Sequence, residues 1–369
     1  MPTSTPKILQ IVPRLPPYSD GVGDYARLLA KQLSSAHALD TEFVTFRPGT
    51  KTPAEVDGFP THRLFNHSAD ALLDLVPDTI DGILLHYSNY PYLQSKLDAP
   101  FWLVDALKKL QARQQCPLVV MYHELPTLKW KKLRLLNPIQ SRVSKQLSQI
   151  ASAVFTDSHH FKVHLERWST APITCIPDFS TIGEPQATQI RPLKQRQRRL
   201  VIFGGSDRVR AYAHFDTLLK TCQALNITEI CDIGTPQNLA AERFGDITFT
   251  EMGFQPAETV QESLLDSVAG FMDYSRFPGD LGKSSVFAAF CAHGLIPICT
   301  TYNPSEPDGI FADQQYAIAG SHLSSWSDDQ CQIIAQQAKA WYSQHSLAIN
   351  AQGFASALSS GKHQPVMSH

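Results

Sequence analysis

Two histidines stand where chemistry could happen. His86 follows the apolar run Gly82–Leu85, and His123 follows Pro117–Tyr122, so each closes a strand-like segment. An imidazole titrates near neutrality and can take, hold or return a proton, although such a residue can equally cap structure through a backbone carbonyl. Three loops offer anion chemistry instead. Pro16-Pro17-Tyr18-Ser19-Asp20-Gly21-Val22-Gly23-Asp24-Tyr25 places Gly21 and Gly23 just ahead of a helical pattern, where backbone N–H groups can approach an oxyanion or a sugar. A plain tight turn competes with that reading, and the third glycine of a dinucleotide fingerprint is missing. Phe203-Gly204-Gly205-Ser206-Asp207-Arg208-Val209-Arg210 supplies two guanidinium groups, Arg208 and Arg210, suited to bidentate phosphate contact. Gly282-Lys283-Ser284-Ser285 opens an apolar helix with a cation and two hydroxyls, a ready anion site or an ordinary capped helix; the P-loop spacing is absent.

The elements that must position these residues alternate along the whole chain. Short apolar runs at Lys7–Val12, Glu42–Phe46, Gly82–Leu85, Pro117–Tyr122, Ala153–Thr156 and Ile173–Ile176 are separated by helical spacing, as in Tyr25, Leu28, Leu29, Leu33 and Phe101, Val104, Leu107, Leu110. The pattern resumes with Leu200–Phe203, Ile227–Ile233, Ile247–Thr250, Val268–Met272, Leu295–Cys299 and Tyr316–Ile318. Apolar strands separated by helices predict parallel sheets covered on both faces, hence an α/β chain of two doubly wound Rossmann-like domains with a cleft between them. The expected division is 1–178 for an acceptor-side domain, 179–198 for a solvated linker with Arg191, Lys194, Arg196 and Arg198 at its end, 199–345 for a nucleotide-sugar domain that opens on Arg199, and 346–369 for a closing helix and tail.

Composition narrows the classes. The 369 residues carry 32 basic and 34 acidic side chains, a net charge of −2 that argues against a nucleic-acid partner held by bulk electrostatics. No apolar run approaches the length of a spanning helix, the first apolar run is too short for a signal-peptide core, and seven scattered cysteines without C-x-x-C spacing predict neither a disulfide framework nor a zinc site. A cytoplasmic protein is expected. Lys129-Trp130-Lys131-Lys132-Leu133-Arg134-Leu135-Leu136 allows peripheral contact with the inner face of a membrane, against the alternative of an amphipathic turn with its leucines packed inward.

Taken together, these segments resemble a GT-B glycosyltransferase, and are most similar to family 4 (glycosyl transferase group 1), over roughly residues 7 to 345. The carriers are Pro17 to Ala26, Val119-Val120-Met121-Tyr122-His123-Glu124, Ala153 to Ser158, Cys175-Ile176-Pro177-Asp178, Phe203 to Asp216 and Phe287 to Ile298 with its Ala292-His293-Gly294 turn. The resemblance implies a polysaccharide-biosynthesis type of reaction: a retaining, metal-independent, hexosyltransferase-like transfer from a nucleoside diphosphate sugar to a glycan, lipid-linked or small-molecule hydroxyl. It implies no cofactor. His123 takes the place of the family's active-site histidine, His86 lies beside it as a possible partner, and Arg208 falls at the family's arginine. Ala213 occupies the usual lysine position, for which Arg210 is the candidate substitute.

One departure is conspicuous. Where the family carries two glutamates eight positions apart, this chain has Leu281 and Ala289, leaving Lys283, Ser284 and Ser285 to serve the phosphates. The charge that grows on a leaving diphosphate calls for fixed cations and helix-terminal N–H groups, and no Asp-x-Asp occurs to suggest a bound metal. Two alternatives therefore stand beside the transferase: a catalytically inactive relative that binds glycans or scaffolds, favoured by the missing glutamates, and a nucleotide-sugar epimerase, for which no acid/base carboxylates are evident.

Overall fold

The computed structural model describes residues 5–18, 20–46, 53–93, 95, 98–126 and 137–359. The cationic stretch 129–136 lies outside them. The chain divides into two compact units, Met1–Ile176 with Leu347–His369, and Pro177–Ser346.

The first unit is built on β1 (Lys7–Val12), α1 (Gly21–His37), β2 (Asp40–Thr45), β3 (Glu55–Val56), β4 (Phe59–Arg63), α2 (Ala69–Leu75), β5 (Gly82–Ser88), α3 (Phe101–Gln114), β6 (Leu118–Glu124), α4 (Asn137–Ile150), β7 (Ala153–Thr156), α5 (His159–Glu166) and β8 (Ile173–Cys175). Its sheet runs β3-β4-β2-β1-β5-β6-β7-β8, parallel throughout except for the β3–β4 hairpin. The strands are apolar on both faces because helices cover both. Leu9, Ile11, Leu85 and Tyr122 pack on Leu103, Leu107 and Leu110 of α3, while Val12 and Phe43 meet Ala26 and Ala30 of α1. Leu28 and Phe101, expected on the buried stripes, are only partly covered and exposed respectively. The helix Leu347–Ser359 returns to this unit: Phe354 stacks on Phe155 at 4.3 Å, and Asn350 accepts a hydrogen bond from the Tyr25 hydroxyl at 3.1 Å.

The second unit follows with β9 (Gln197–Phe203), α6 (Phe215–Ala224), β10 (Glu229–Ile233), β11 (Thr248–Gly253), α7 (Ala257–Leu265), β12 (Ser267–Met272), α8 (Ser285–Ala292), β13 (Ile296–Cys299), β14 (Ala317–Ile318) and α9 (Asp328–Ser343), the last helix of the chain being α10 (Leu347–Ser359). Its sheet order, β11-β10-β9-β12-β13-β14, is parallel throughout. Both units are thus doubly wound α/β sheets, as the alternation predicts.

The segment read as a solvated linker differs from that expectation. Phe179 and Ser180 are fully buried, the Ser180 N–H donates to the Tyr342 hydroxyl at 3.0 Å, and the Leu193 N–H to Gln332 Oε1 at 2.8 Å. Arg196 is buried as well, because its guanidinium satisfies carbonyls that would otherwise lack donors. Among the described residues no helix is long and apolar enough to cross a membrane.

Candidate functional site

In the first unit the strand ends β1, β5, β6 and β7 line up four polar side chains. Gln10 on β1 spends its amide nitrogen on Thr41 Oγ1 at 3.1 Å, leaving Oε1 to accept from His86 Nε2 at 3.0 Å. His86 is fully buried, and burial, reinforced by the neighbouring His123, pushes its pKa well below the ordinary range. A neutral ring with its proton on Nε2 has a lone pair on Nδ1, so His123 Nε2 donates there, at 3.1 Å. The His123 Nδ1 faces the Asp157 carboxylate at 3.7 Å, directly after β7. Tyr25 of α1 sets its ring edge against both imidazoles, at 5.0 Å from His123 and 5.8 Å from His86. This arrangement can hold a proton at His123: Asp157 supplies the counter-charge on one side and a neutral acceptor fixes the ring on the other.

Of the two glycines of the α1 loop, Gly23 has a structural role. Asp20 caps the helix, its Oδ1 accepting from the Val22 N–H at 3.1 Å and the Gly23 N–H at 3.0 Å. Of the two glycine N–H groups expected to face a sugar or an oxyanion, that of Gly23 is thus occupied by the chain's own carboxylate. Gly23 is required sterically, since a Cβ there would lie 2.3 Å from the Arg14 carbonyl oxygen. Gly23→Ala should cost about 1–3 kcal/mol in overpacking, read as a lower denaturation midpoint, while Gly21→Ala, with open space at that position, should cost less. The adjoining Asp24 is pushed up to about 6, chiefly by burial, with Arg27 opposing the shift.

In the second unit the ends of β9 and β12 and the start of α8 enclose a cavity of about 310 Å³, lined by Gly204, Gly205, Asp207, Arg208, Asp273, Ser284 and neighbouring apolar groups. Ser284 caps α8 by accepting from the Phe287 N–H at 3.2 Å. The next two N–H groups, of Ser285 and Val286, have no protein acceptor among the described residues, and Val286 lines the cavity. Open N–H groups at a helix start, beside a glycine pair, can take an anion.

Arg208 reaches this cavity but is not the free phosphate cation expected from the sequence. Its side chain is only 2% exposed; it pairs with Asp232 of β10 at 2.8 Å, and its guanidinium donates to the carbonyls of Ile233, at 3.2 Å, and Thr235. The contact with Asp232 is an ion pair rather than a directed hydrogen bond, because Asp232 Oδ1 accepts none. Tyr212 donates to the other carboxylate oxygen. Gly234, at φ +144°, makes room for the guanidinium: a Cβ there would lie 2.5 Å from Arg208 Nε. Arg210 is 44% exposed and donates to Asp273 Oδ1 at 3.2 Å. Burial works against the Asp273 charge, yet hydrogen bonds from Thr300, Ser275 and Arg210 outweigh it and hold the carboxyl below its usual range. Lys283 and Ser285 are half-buried and their side chains do not line the cavity. At the positions of the missing glutamates, Leu281 and Ala289 are fully buried.

Within the first unit the structure thus joins His86 to His123, and within the second it brings Arg208 and Ser284 to one cavity. Gln10, Tyr25, Asp157 and Asp273 are site residues that the sequence alone does not single out. For Asp157 and Asp273 a signal exists, an acidic residue immediately after a buried strand. Gln10 and Tyr25 sit inside regular elements and show no such mark.

No protein-family model matches the chain, and no curated protein sequence matches it either. Solved structures do. One is Anabaena HepE in complex with UDP and glucose, 15% identical, with 96% of this chain and 99% of that chain covered at a TM-score of 0.63. A second is an α-glucosyltransferase in complex with UDP and a DNA 13-mer, at 13% identity, 95% and 98% coverage and a TM-score of 0.61. A third is a UDP-N-acetylglucosamine 2-epimerase, so assigned, from Listeria monocytogenes, at 12% identity, 96% coverage of each chain and a TM-score of 0.59. The likeness establishes the fold: two Rossmann-like α/β domains of the GT-B type.

Proposed function

We propose that the protein transfers a sugar from a nucleoside diphosphate sugar to a hydroxyl acceptor. One observation carries the reading: Gly204, Gly205, Ser284 and Val286 line the cavity at the ends of β9 and β12, at the start of α8, where the Ser285 and Val286 N–H groups have no protein acceptor among the described residues. A leaving diphosphate gains charge in the transition state, and fixed N–H dipoles stabilise it without reorganising. The neighbours in fold that hold UDP make the same class of ligand reasonable here. Lys283, just ahead of α8, and Arg210, itself paired with Asp273, are cations of the flanking segments, while Arg208, neutralised by Asp232, shapes the wall. His123 serves as the acid/base or orienting group. The resemblance extends the proposal to retention at the anomeric carbon without a metal. The acceptor is a glycan, a lipid-linked chain or a small molecule; one neighbour holds DNA, but a net charge of −2 does not favour nucleic acid.

Titration with UDP, GDP, ADP and dTDP, in EDTA, tests the donor site; absence of binding by every one of them overturns it. The sharper arm is Ser285→Pro. Ser285 is the first residue of α8, where proline is tolerated, and Ser284 before it is already extended (φ −92°, ψ 108°). The substitution deletes one N–H and leaves the helix, so nucleotide affinity should fall about 10-fold at unchanged melting temperature. The burial of Leu281 and Ala289 favours a second reading, an inactive relative. It predicts nucleotide binding without turnover for any acceptor.

A further inference from the structure

At the opposite end of the second sheet lies a larger cavity, about 390 Å³, in the size range of small-molecule sites. It opens where β9, β12 and β13 begin, about 20 Å from the cavity at their other ends for a seven-residue strand. Its floor is apolar, formed by Leu193, Val268 and Ile296, and five cations line it: Arg191, Lys194, Arg196, Arg198 and Lys339. Two carboxylates, Asp328 and Asp329, line it as well. Arg191 is neutralised by Asp266 at 2.6 Å and Arg198 by Asp328 at 3.0 Å, which leaves three cations against Asp329. For Arg196, Lys194 and Lys339 no carboxylate lies within ion-pair distance among the described residues.

Arg196 is fixed but not neutralised. Its Nε donates to the Arg191 carbonyl at 2.9 Å, and its Nη1 to those of Ser267 and His293, each at 3.1 Å. Carbonyl dipoles take its Nε and Nη1 N–H groups without neutralising the charge, and its Nη2 has no protein acceptor among the described residues. Burial, with Arg191 adding, pushes this guanidinium down to about 10, and burial together with Arg196 lowers Lys339. Like charges gathered around a partly buried cavity repel, a cost that an anion in the cavity would relieve. Clamping residues 191–196 to the sheet accounts for Arg196, but that role needs neither Lys194 nor Lys339.

We propose that this cavity is a binding site for a small phosphate-bearing ligand, held by Arg196, Lys194 and Lys339 over the apolar floor. It is separate from the cavity beside α8, shares no residue with it, and stands or falls independently of the transferase reading.

Calorimetric titration with inorganic pyrophosphate tests it on three proteins: the wild type, Lys194→Ala/Lys339→Ala, and Ser285→Pro. Removing one charge-assisted hydrogen bond should weaken binding about 10-fold, so the double variant should lose a binding event that Ser285→Pro retains. Its melting temperature without anion should equal or exceed that of the wild type, since a repulsion with Arg196 has gone. Equal pyrophosphate affinity in wild type and double variant, or a melting temperature that falls in the double variant, overturns the proposal. Vesicles containing phosphatidic acid separate two sources of the phosphate. Lysine-dependent co-sedimentation assigns it to a lipid headgroup, and pyrophosphate binding without co-sedimentation assigns it to a soluble ligand.

Discussion

His123→Ala should lower the transfer rate by about 10²–10⁴, the usual worth of a positioned acid/base or orienting group. The same substitution has a second consequence, because His123 is the donor to His86 Nδ1 at 3.1 Å and His86 is fully buried. Leaving that nitrogen unpaired costs about 1–3 kcal/mol of stability, so a lowered rate alone would not tell chemistry from unfolding. His123→Gln separates them. A glutamine amide can still donate to His86 but cannot accept and return a proton near neutrality. The expected pattern is a melting temperature recovered toward wild type in the glutamine variant, with the rate still depressed, measured where all three proteins are folded. A rate that recovers together with the melting temperature would make His123 a packing residue. An intact rate in His123→Ala at a permissive temperature would remove it from the mechanism altogether.

How much of this is legible in the sequence depends on whether the signal is local. All twelve strand-like runs read from apolar, β-branched composition are strands, with ends that move by up to three residues, because two-sided burial writes itself into consecutive side chains. The β3–β4 hairpin escapes such a reading: its strands span two and five residues, too short for periodicity. Its turn, Asp57-Gly58 at φ 54° and 85°, is nonetheless readable as a hairpin dipeptide. His86 and His123 are visible as strand-ending histidines, whereas Gln10 and the hydrogen bond from Tyr25 to Asn350, 325 residues apart, depend on tertiary pairing. Arg208 is legible as a residue type at a strand end but not in its role. Only the register of β9 against β10 puts Asp232 beside it, and no local pattern encodes that. Arg196 is obscured the same way: a run of cations reads as solvent-facing until the carbonyls of Ser267 and His293 are brought to it.

Asp232→Ala should destabilise the second unit by about 3–5 kcal/mol, because it strips the counter-charge from a guanidinium that cannot reach water. Arg208 is 2% exposed and Asp232 fully buried, and Asp232 also accepts from Tyr212. The pair carries a large desolvation cost of its own. Burial pushes the Asp232 carboxyl up despite the hydrogen bond from Tyr212 and the charge of Arg208, with Glu251 adding to the rise. Two consequences follow for unfolding in denaturant. Removing only the carboxylate leaves a buried cation, an unpartnered phenol and two carbonyls that still bind the guanidinium in place, so the loss should approach the upper part of that range. Replacing both members, as in Arg208→Met with Asp232→Leu, removes the desolvation cost together with the attraction and should lose less than the single variant. Double-variant losses equal to the sum of the two single ones would show that the ion pair contributes nothing beyond its separate residues. A single variant within about 0.5 kcal/mol of wild type would place Arg208 in contact with solvent. That result would return it to the role of phosphate cation that the sequence alone suggested.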